Sequence, residues 1–204
     1  MLAEAISKHK ENAKDKRIII FVGPEGSGKS TIGKLLSKHL QKPYISTGDI
    51  IRDRAKNDNG PLGEACRKMI EEHAYLDPKL IGQILSERLS KEDAKDGVVI
   101  DGALRTLDET GRFDELLETA GKGDFEVLVF FLDIPDEVGI QRRLNSPELR
   151  PGENRESVAK RLEHFYTNFS ERMNIIKERY NFYKIDATKN IEEVFEEIES
   201  ILKI

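Results

Sequence analysis

The run Gly23-Pro24-Glu25-Gly26-Ser27-Gly28-Lys29-Ser30-Thr31 closes a glycine-rich stretch on a lysine and two hydroxyls. A phosphate chain calls for this combination. Backbone N–H groups can converge on a polyanion only where side chains do not intervene, and a helix opening at Lys29 adds its positive end. Lys29 can reach the outer phosphates, and Ser30 can offer an oxygen to Mg²⁺. Asp101 ends the apolar run Val98-Val99-Ile100 just before Gly102. A carboxylate at the carboxyl end of a strand lies where open α/β sheets bind ligands, and there it can hold Mg²⁺ through water. Arg52, Arg105, Arg142, Arg150 and Arg161 recur where loops should meet such a cleft. A single helical arginine is ordinarily a solvated surface cation, so the reading rests on the whole arrangement. Phosphoryl transfer needs in-line positioning and charge compensation more than covalent help. Guanidinium groups provide both, because they stay charged and grip phosphate bidentately. An acceptor that is already an anion needs no strong general base. In keeping with that, His9, His39, His73 and His164 all fall in helical patterns.

These residues need elements to position them. Arg17–Val22 is a short β-branched run that reads as a buried parallel strand. The glycine turn follows, and then Ile32, Leu35, Leu36 and Leu40 repeat at helical spacing. Lys42–Ser46, Gly97–Ile100, Glu126–Leu132 and the weaker Phe182–Ile185 supply four more strands. Helical patterns between them predict an α/β, P-loop NTPase-type three-layer fold with a five-stranded parallel sheet. Pro61 and Pro78 suit first helical positions, and Asp133-Ile134-Pro135 opens a further helix. Asn154 caps one long helix with Val158, Leu162, Phe165, Phe169, Met173 and Ile176 on a single stripe. Asn190 with Glu193 forms a capping box. Residues 48–90 carry three consecutive helical patterns, while residues 146–154 are polar, with two prolines and a glycine, and read as a short flap. The expected organisation is one domain with a core of 17–47, 91–145 and 155–204, an insert at 48–90, the flap at 146–154 and an extension at 1–16. Residues 2–15 should form a short polar helix.

Composition narrows the function classes. The 204 residues suit one α/β domain. With 38% hydrophobic and 35% charged residues, the chain is globular and heavily charged at its surface. A net charge of -5 provides no global basic field for nucleic acid, so phosphate affinity must be local. Cys66 is the single cysteine, which excludes an internal disulfide and a cysteine-built metal site. No apolar run approaches the roughly 20 residues of a membrane span. The first sixteen residues lack the apolar stretch of an export signal, so the expectation is a cytoplasmic protein without a membrane partner.

Four ordered blocks resemble the adenylate kinase and UMP/CMP kinase family, from about Ile18 to the C-terminus. They are the glycine loop, Ser46-Thr47-Gly48-Asp49-Ile50-Ile51-Arg52, Ile100-Asp101-Gly102-Ala103-Leu104-Arg105-Thr106, and Arg150 with Arg161. The resemblance implies a monomeric nucleoside monophosphate kinase that uses ATP and Mg²⁺, with AMP as the first-choice acceptor. It implies that Gly23, Glu25, Gly26, Ser27, Gly28, Lys29, Ser30 and Thr31 hold the ATP phosphates while Arg142 stacks on the adenine. Thr47, Arg52, Gly102, Arg105 and Glu109 would hold the monophosphate. Ser30, Asp49 and Asp101 would hold Mg²⁺, largely through water. Lys29, Arg105, Arg150 and Arg161 would be catalytic, the last two closing over the transferring phosphoryl group. Residues 48–76 would form mobile monophosphate-binding helices. Residues 146–154 would form a short lid without the long zinc-binding insert of some relatives, and its closure would exclude water.

Three positions depart from the family pattern. Ala103-Leu104 stands where the family has Phe-Pro, which should alter the loop that aims Arg105. Ser146 stands where the family has a lid arginine, with Arg143 and Arg155 nearby but out of register. Glu109 replaces an adenine-selecting glutamine. An ionised Glu only accepts hydrogen bonds, so it suits an amino-bearing base, or else it is a solvent-facing helix residue. Two alternatives share the glycine loop: another P-loop small-molecule kinase, or a nucleotide-binding regulator or assembly factor with weak ATPase.

Overall fold

The computed structural model describes residues 16–72, 76–149 and 152–204. The helix expected over 2–15, His9, His73 and Arg150 lie outside the described residues. Five strands, β1 (Arg17–Val22), β2 (Tyr44–Ser46), β3 (Gly97–Asp101), β4 (Glu126–Asp133) and β5 (Asn181–Asp186), form one parallel sheet in the order β2-β3-β1-β4-β5. Each of the five expected strands is present, β1 with its expected bounds and the other four with one or both ends moved by one or two residues.

Central strands of such a sheet are covered on both faces, which is why they read as continuous apolar runs. β1 shows this directly. Ile18, Ile20 and Val22 join one core cluster, while Ile19 and Phe21 join the other, because successive side chains leave a strand on opposite sides. The second cluster is closed by α1 (Lys29–Leu40) through Ile32 and Leu36, and by a C-terminal helix at Ile191–Leu202 through Val194, Ile198 and Leu202. Leu35, expected on the inner stripe of α1, faces solvent.

Between β2 and β3 the chain forms α2 (Thr47–Asn57), α3 (Pro61–Glu72) and α4 (Pro78–Leu89), followed by a single 3₁₀ turn at Glu92–Ala94. Pro61 and Pro78 take the first helical positions as expected, and Asp77 caps α4 by accepting from Lys79 N. After β3 come α5 (Leu107–Gly111) and α6 (Phe113–Thr119), and after β4 comes α7 (Asp136–Leu144). The single long helix expected after Asn154 is two helices, α8 (Arg155–Tyr166) and α9 (Phe169–Arg179). The break falls at Asn168, whose φ of 52° is left-handed, a conformation asparagine tolerates better than most residues. The stripe is divided accordingly: Val158 and Leu162 pack with Ile140 of α7, whereas Phe165, Met173 and Ile176 join the main core. The Ile191–Leu202 helix is α10, opened by the expected Asn190–Glu193 capping box. No helix among the described residues is long and apolar enough to cross a membrane.

Candidate active site

The strand order reverses direction at β1, which lies between β3 and β4, so the carboxyl ends of β1 and β3 border a crevice where such sheets bind ligands. The glycine loop leaves β1 here. Gly26 has φ +78°, and a Cβ on it would sit 1.9 Å from the Gly139 carbonyl oxygen at the start of α7. Gly28 has φ +90° and hands the chain to α1. A residue with a side chain would be strained at either position. Lys29 Nζ donates to Pro24 O at 2.7 Å and to Ser27 Oγ at 3.3 Å. Burial lowers the Lys29 pKa, Asp101 and Glu25 oppose that shift, and the Arg105 and Arg143 charges add to it.

Asp101 faces the loop from the end of β3. Its Oδ2 accepts from Ser30 Oγ at 2.8 Å and from Tyr44 Oη at 2.8 Å. Burial and the neighbouring Asp101 carboxylate raise the Tyr44 pKa well above its ordinary value, so the phenol remains a donor. Tyr44 was not among the residues picked out by sequence, yet it carries a readable signal. Gly33 sits in the interior of α1, where glycine costs roughly 1 kcal/mol against alanine. A Cβ at Gly33 would lie 2.7 Å from the Tyr44 ring, so the glycine makes room for the ring whose hydroxyl reaches Asp101.

A cleft of about 790 Å³ opens over these groups. Lys29, Ser30, Thr31 and Asp101 line it together with Gly48, Asp49, Arg52, Gly102 and Arg105 on one part of its wall, and Arg142, Arg143 and Lys189 on another. Arg142 is held by the carbonyls of Ala187 (2.6 Å) and Thr188 (3.1 Å). Arg52 pairs with Asp49 one turn away on α2. Arg161 lines a smaller cavity of about 50 Å³ with Lys29, Glu25 and Arg105.

Arg143 and Arg161 share one carboxylate, Glu153, whose side chain is 4% exposed, and both lie within 3.7 Å of Glu25 Oε1. Of the two arginines near the missing lid arginine, Arg143 reaches the cleft. Arg155 instead pairs with Glu137 on the outer surface. Glu153 was also not picked out by sequence; nothing in a polar flap distinguishes a carboxylate that will be buried.

Glu109 fits neither of its expected roles. It is 7% exposed, so it does not face solvent, and it does not line the cleft. Its Oε1 accepts from Leu104 N at 3.1 Å and its Oε2 from Arg105 N at 3.0 Å. Burial pushes its carboxyl above the ordinary glutamate range, and these N–H bonds and the Arg105 charge pull the other way. Leu104 adopts φ 58°, so the altered loop turns its N–H groups inward and the carboxylate answers them. Thr47 is 1% exposed, and its Oγ1 has no hydrogen-bond partner among the described residues.

Comparison with known proteins agrees with this geometry. A family model described as adenylate kinase matches residues 21–196. The chain is 32% identical over 184 residues to adenylate kinase 1 of Nostoc sp., covering 90% of this chain and 97% of that protein. It is 29% identical over 214 aligned positions to the adenylate kinase of Clostridium tetani, covering 90% and 97% of the two chains. A third relative, the adenylate kinase of Thermotoga neapolitana, is 34% identical over 124 residues, or 61% of this chain and 56% of that protein.

Proposed function

The chain belongs to the adenylate kinase family, and from that premise we propose that it transfers the terminal phosphoryl group of Mg·ATP directly, in line, to AMP, yielding two ADP. The observation that carries the proposal is one cleft lined by the lysine of a glycine loop, the Ser30–Asp101 pair and the arginines Arg52 and Arg105. One part of that wall is built to receive a triphosphate, and the other offers two guanidinium groups to a second anion.

The roles follow from the chemistry of each group. The backbone N–H groups of residues 25–31 and the Lys29 ammonium hold the ATP phosphates, with Gly23, Glu25 and Ser27 shaping the loop. Arg142, fixed by two carbonyls, presents a flat guanidinium face on which an adenine can stack. Arg52 and Arg105 grip the acceptor phosphate beside Gly102, whose missing side chain keeps the approach open. Thr47 Oγ1 is assigned to the acceptor base. Arg143 and Arg161 flank the transferring group, Arg143 takes the part of the missing lid arginine, and Arg150 is assigned to the same group on the family resemblance alone. Residues 48–90 serve as the monophosphate-binding insert and 146–154 as a short lid. The donor set also fits Mg²⁺: Ser30 and Asp101 are adjacent oxygen ligands of the kind a hard cation takes, with Asp49 acting through water. An ion held by these residues would supply charge neutralisation to the phosphates. The proposal extends to a monomer in the cytoplasm, which sedimentation of the purified protein and cell fractionation would check.

The test is an ADP-release assay with Mg·ATP against AMP, CMP, GMP, UMP and dTMP in parallel. AMP is expected to turn over fastest. Because Glu109 is occupied by its own loop, discrimination against other bases should rest on contacts such as Thr47. Faster turnover of another monophosphate would replace AMP as the substrate. No turnover with any of the five would overturn the reading.

Tyr44→Phe separates the phenol from its ring. The ring still fills the space over Gly33, so the unfolding midpoint should hardly move. Loss of a hydrogen bond to a charged group should lower kcat/KM for ATP about tenfold and weaken the Mg²⁺ dependence of ATP binding in calorimetry. Wild-type values for both would remove Tyr44 from the site.

A further inference from the structure

Arg172 is 0% exposed, the largest fully buried side chain among the described residues. It lies on the first turn of α9, directly after the break at Asn168. Its two terminal nitrogens point to different elements. Nη1 donates to the carbonyl oxygen of Arg105, and Nη2 donates to the carbonyl oxygen of Phe165 at 2.8 Å. The guanidinium carbon sits 5.0 Å from the Phe165 ring centroid and 5.7 Å from that of Phe169, in reach of the cation–π attraction. An unbroken helix would give the Phe165 carbonyl to the N–H of residue 169. The break frees that carbonyl for Arg172, and it places a cation at the C-terminal end of α8, where the helix dipole favours one.

The loop it touches does not hold itself. Leu104 is a non-glycine residue with φ 58°, a conformation that costs roughly 1–2 kcal/mol. Two buried polar side chains hold the loop from opposite sides: Glu109 takes the N–H of Leu104 and of Arg105, and Arg172 takes the carbonyl of Arg105. Both hydrogen-bonding groups of the Arg105 backbone are therefore fixed by buried side chains. The other end of the Arg172 fork is fixed to α8, the helix that carries Arg161 one turn earlier. A packed apolar side chain could fill the same volume without the cost of burying a charge. What the guanidinium adds is a defined distance between the Arg105 backbone and the end of the Arg161 helix.

We infer that Arg172 is a positioning residue: it sets the acceptor-side arginine Arg105 against the helix of the transfer-side arginine Arg161. This rests on the proposed role of Arg105 at the acceptor phosphate. Neither Arg172 nor Glu109 lines the cleft, so Arg172 acts through the Arg105 backbone.

Two variants test it, each with steady-state kinetics, calorimetric AMP binding and thermal unfolding. Arg172→Lys keeps the charge but cannot span two carbonyls with a planar fork. Arg172→Met fills the volume without a charge and guards against loss of the fold through a buried, mispaired cation. In both, KM for AMP should rise about tenfold and kcat should fall about tenfold, because a small misplacement of a positioned group is costly, while KM for ATP stays within about twofold. Combined with Arg105→Ala, neither should add a further loss, since the two substitutions remove the same positioning. A lowered unfolding midpoint with unchanged AMP binding and kcat would reduce Arg172 to a structural role and overturn the inference, as would effects fully additive with Arg105→Ala. Wild-type kinetics in Arg105→Ala alone would instead remove the role of Arg105 on which the inference stands.

Discussion

Lys29→Ala is expected to lower kcat about a thousandfold, the upper range for removing one preorganised charge stabiliser, with the fold intact. Lys29 is held at the mouth of the loop by Pro24 O and Ser27 Oγ, so its ammonium is in place before any nucleotide arrives. The loop N–H groups remain in the variant, so ATP binding should weaken far less than turnover. Stability should not suffer. Burial is the leading cause that lowers the Lys29 pKa in the folded protein. A lysine with a depressed folded pKa costs stability at every pH below that value, and the cost fades as pH rises toward the unfolded value. Removing the charge at neutral pH therefore leaves the unfolding midpoint unchanged or higher. Steady-state kinetics and thermal unfolding check both halves. Turnover within about tenfold of wild type would release Lys29 from the mechanism.

The parts of this fold that were legible in the sequence are those governed by short-range pattern. The five strands read as apolar runs because both faces of each central strand are covered, and β1 divides its residues between two cores. The glycine loop was legible because its chemistry tolerates little variation at Gly26 and Gly28. What escaped depends on long-range packing. The stripe from Val158 to Ile176 keeps helical spacing across a break that only the left-handed Asn168 reveals. Glu109 occupies a position defined by register, but the changed turn at Ala103-Leu104 draws its carboxylate inward. Tyr44, Glu153 and Arg172 find their partners 57, 10 and 67 residues away, and no local pattern announces such pairs. Gly33 is the exception: a helix-interior glycine signals a close neighbour, and here that neighbour is Tyr44.

The arrangement of charge around the cleft bears on how it receives anions. Glu153 compensates Arg143 and Arg161, and Asp49 compensates Arg52. Cations held close together repel one another, and each carboxylate lowers that repulsion. An incoming phosphate would compete for the same guanidinium groups and would also take up backbone N–H groups of the glycine loop. Glu153 ties residues 152–154 to Arg143 and Arg161, so if these arginines take the transferring group as proposed, a bound nucleotide would compete with Glu153 for them.

Arg105→Ala is expected to lower kcat/KM for AMP about a thousandfold, with KM for ATP changed little. Arg105 lines both the main cleft and the small cavity that contains Arg161. Its charge is near enough to Lys29 to depress the lysine pKa, although burial does more. Two cations facing one cleft both attract an anion between them, and in the proposed reaction the phosphoryl group passing from donor to acceptor would be that anion. The loss should therefore appear in kcat as well as in KM for AMP, because charge spreads over the transferring group only in the transition state. Arg105→Lys separates charge from geometry: it should recover part of kcat through the retained cation, but little of KM, because an ammonium cannot grip a phosphate bidentately. Removing Arg105 should also raise the Lys29 pKa, since one repelling charge is gone. A variant with wild-type KM for AMP but reduced kcat would move the acceptor phosphate to Arg52 and leave Arg105 with the transferring group alone. Unchanged values of both would remove Arg105 from the site altogether.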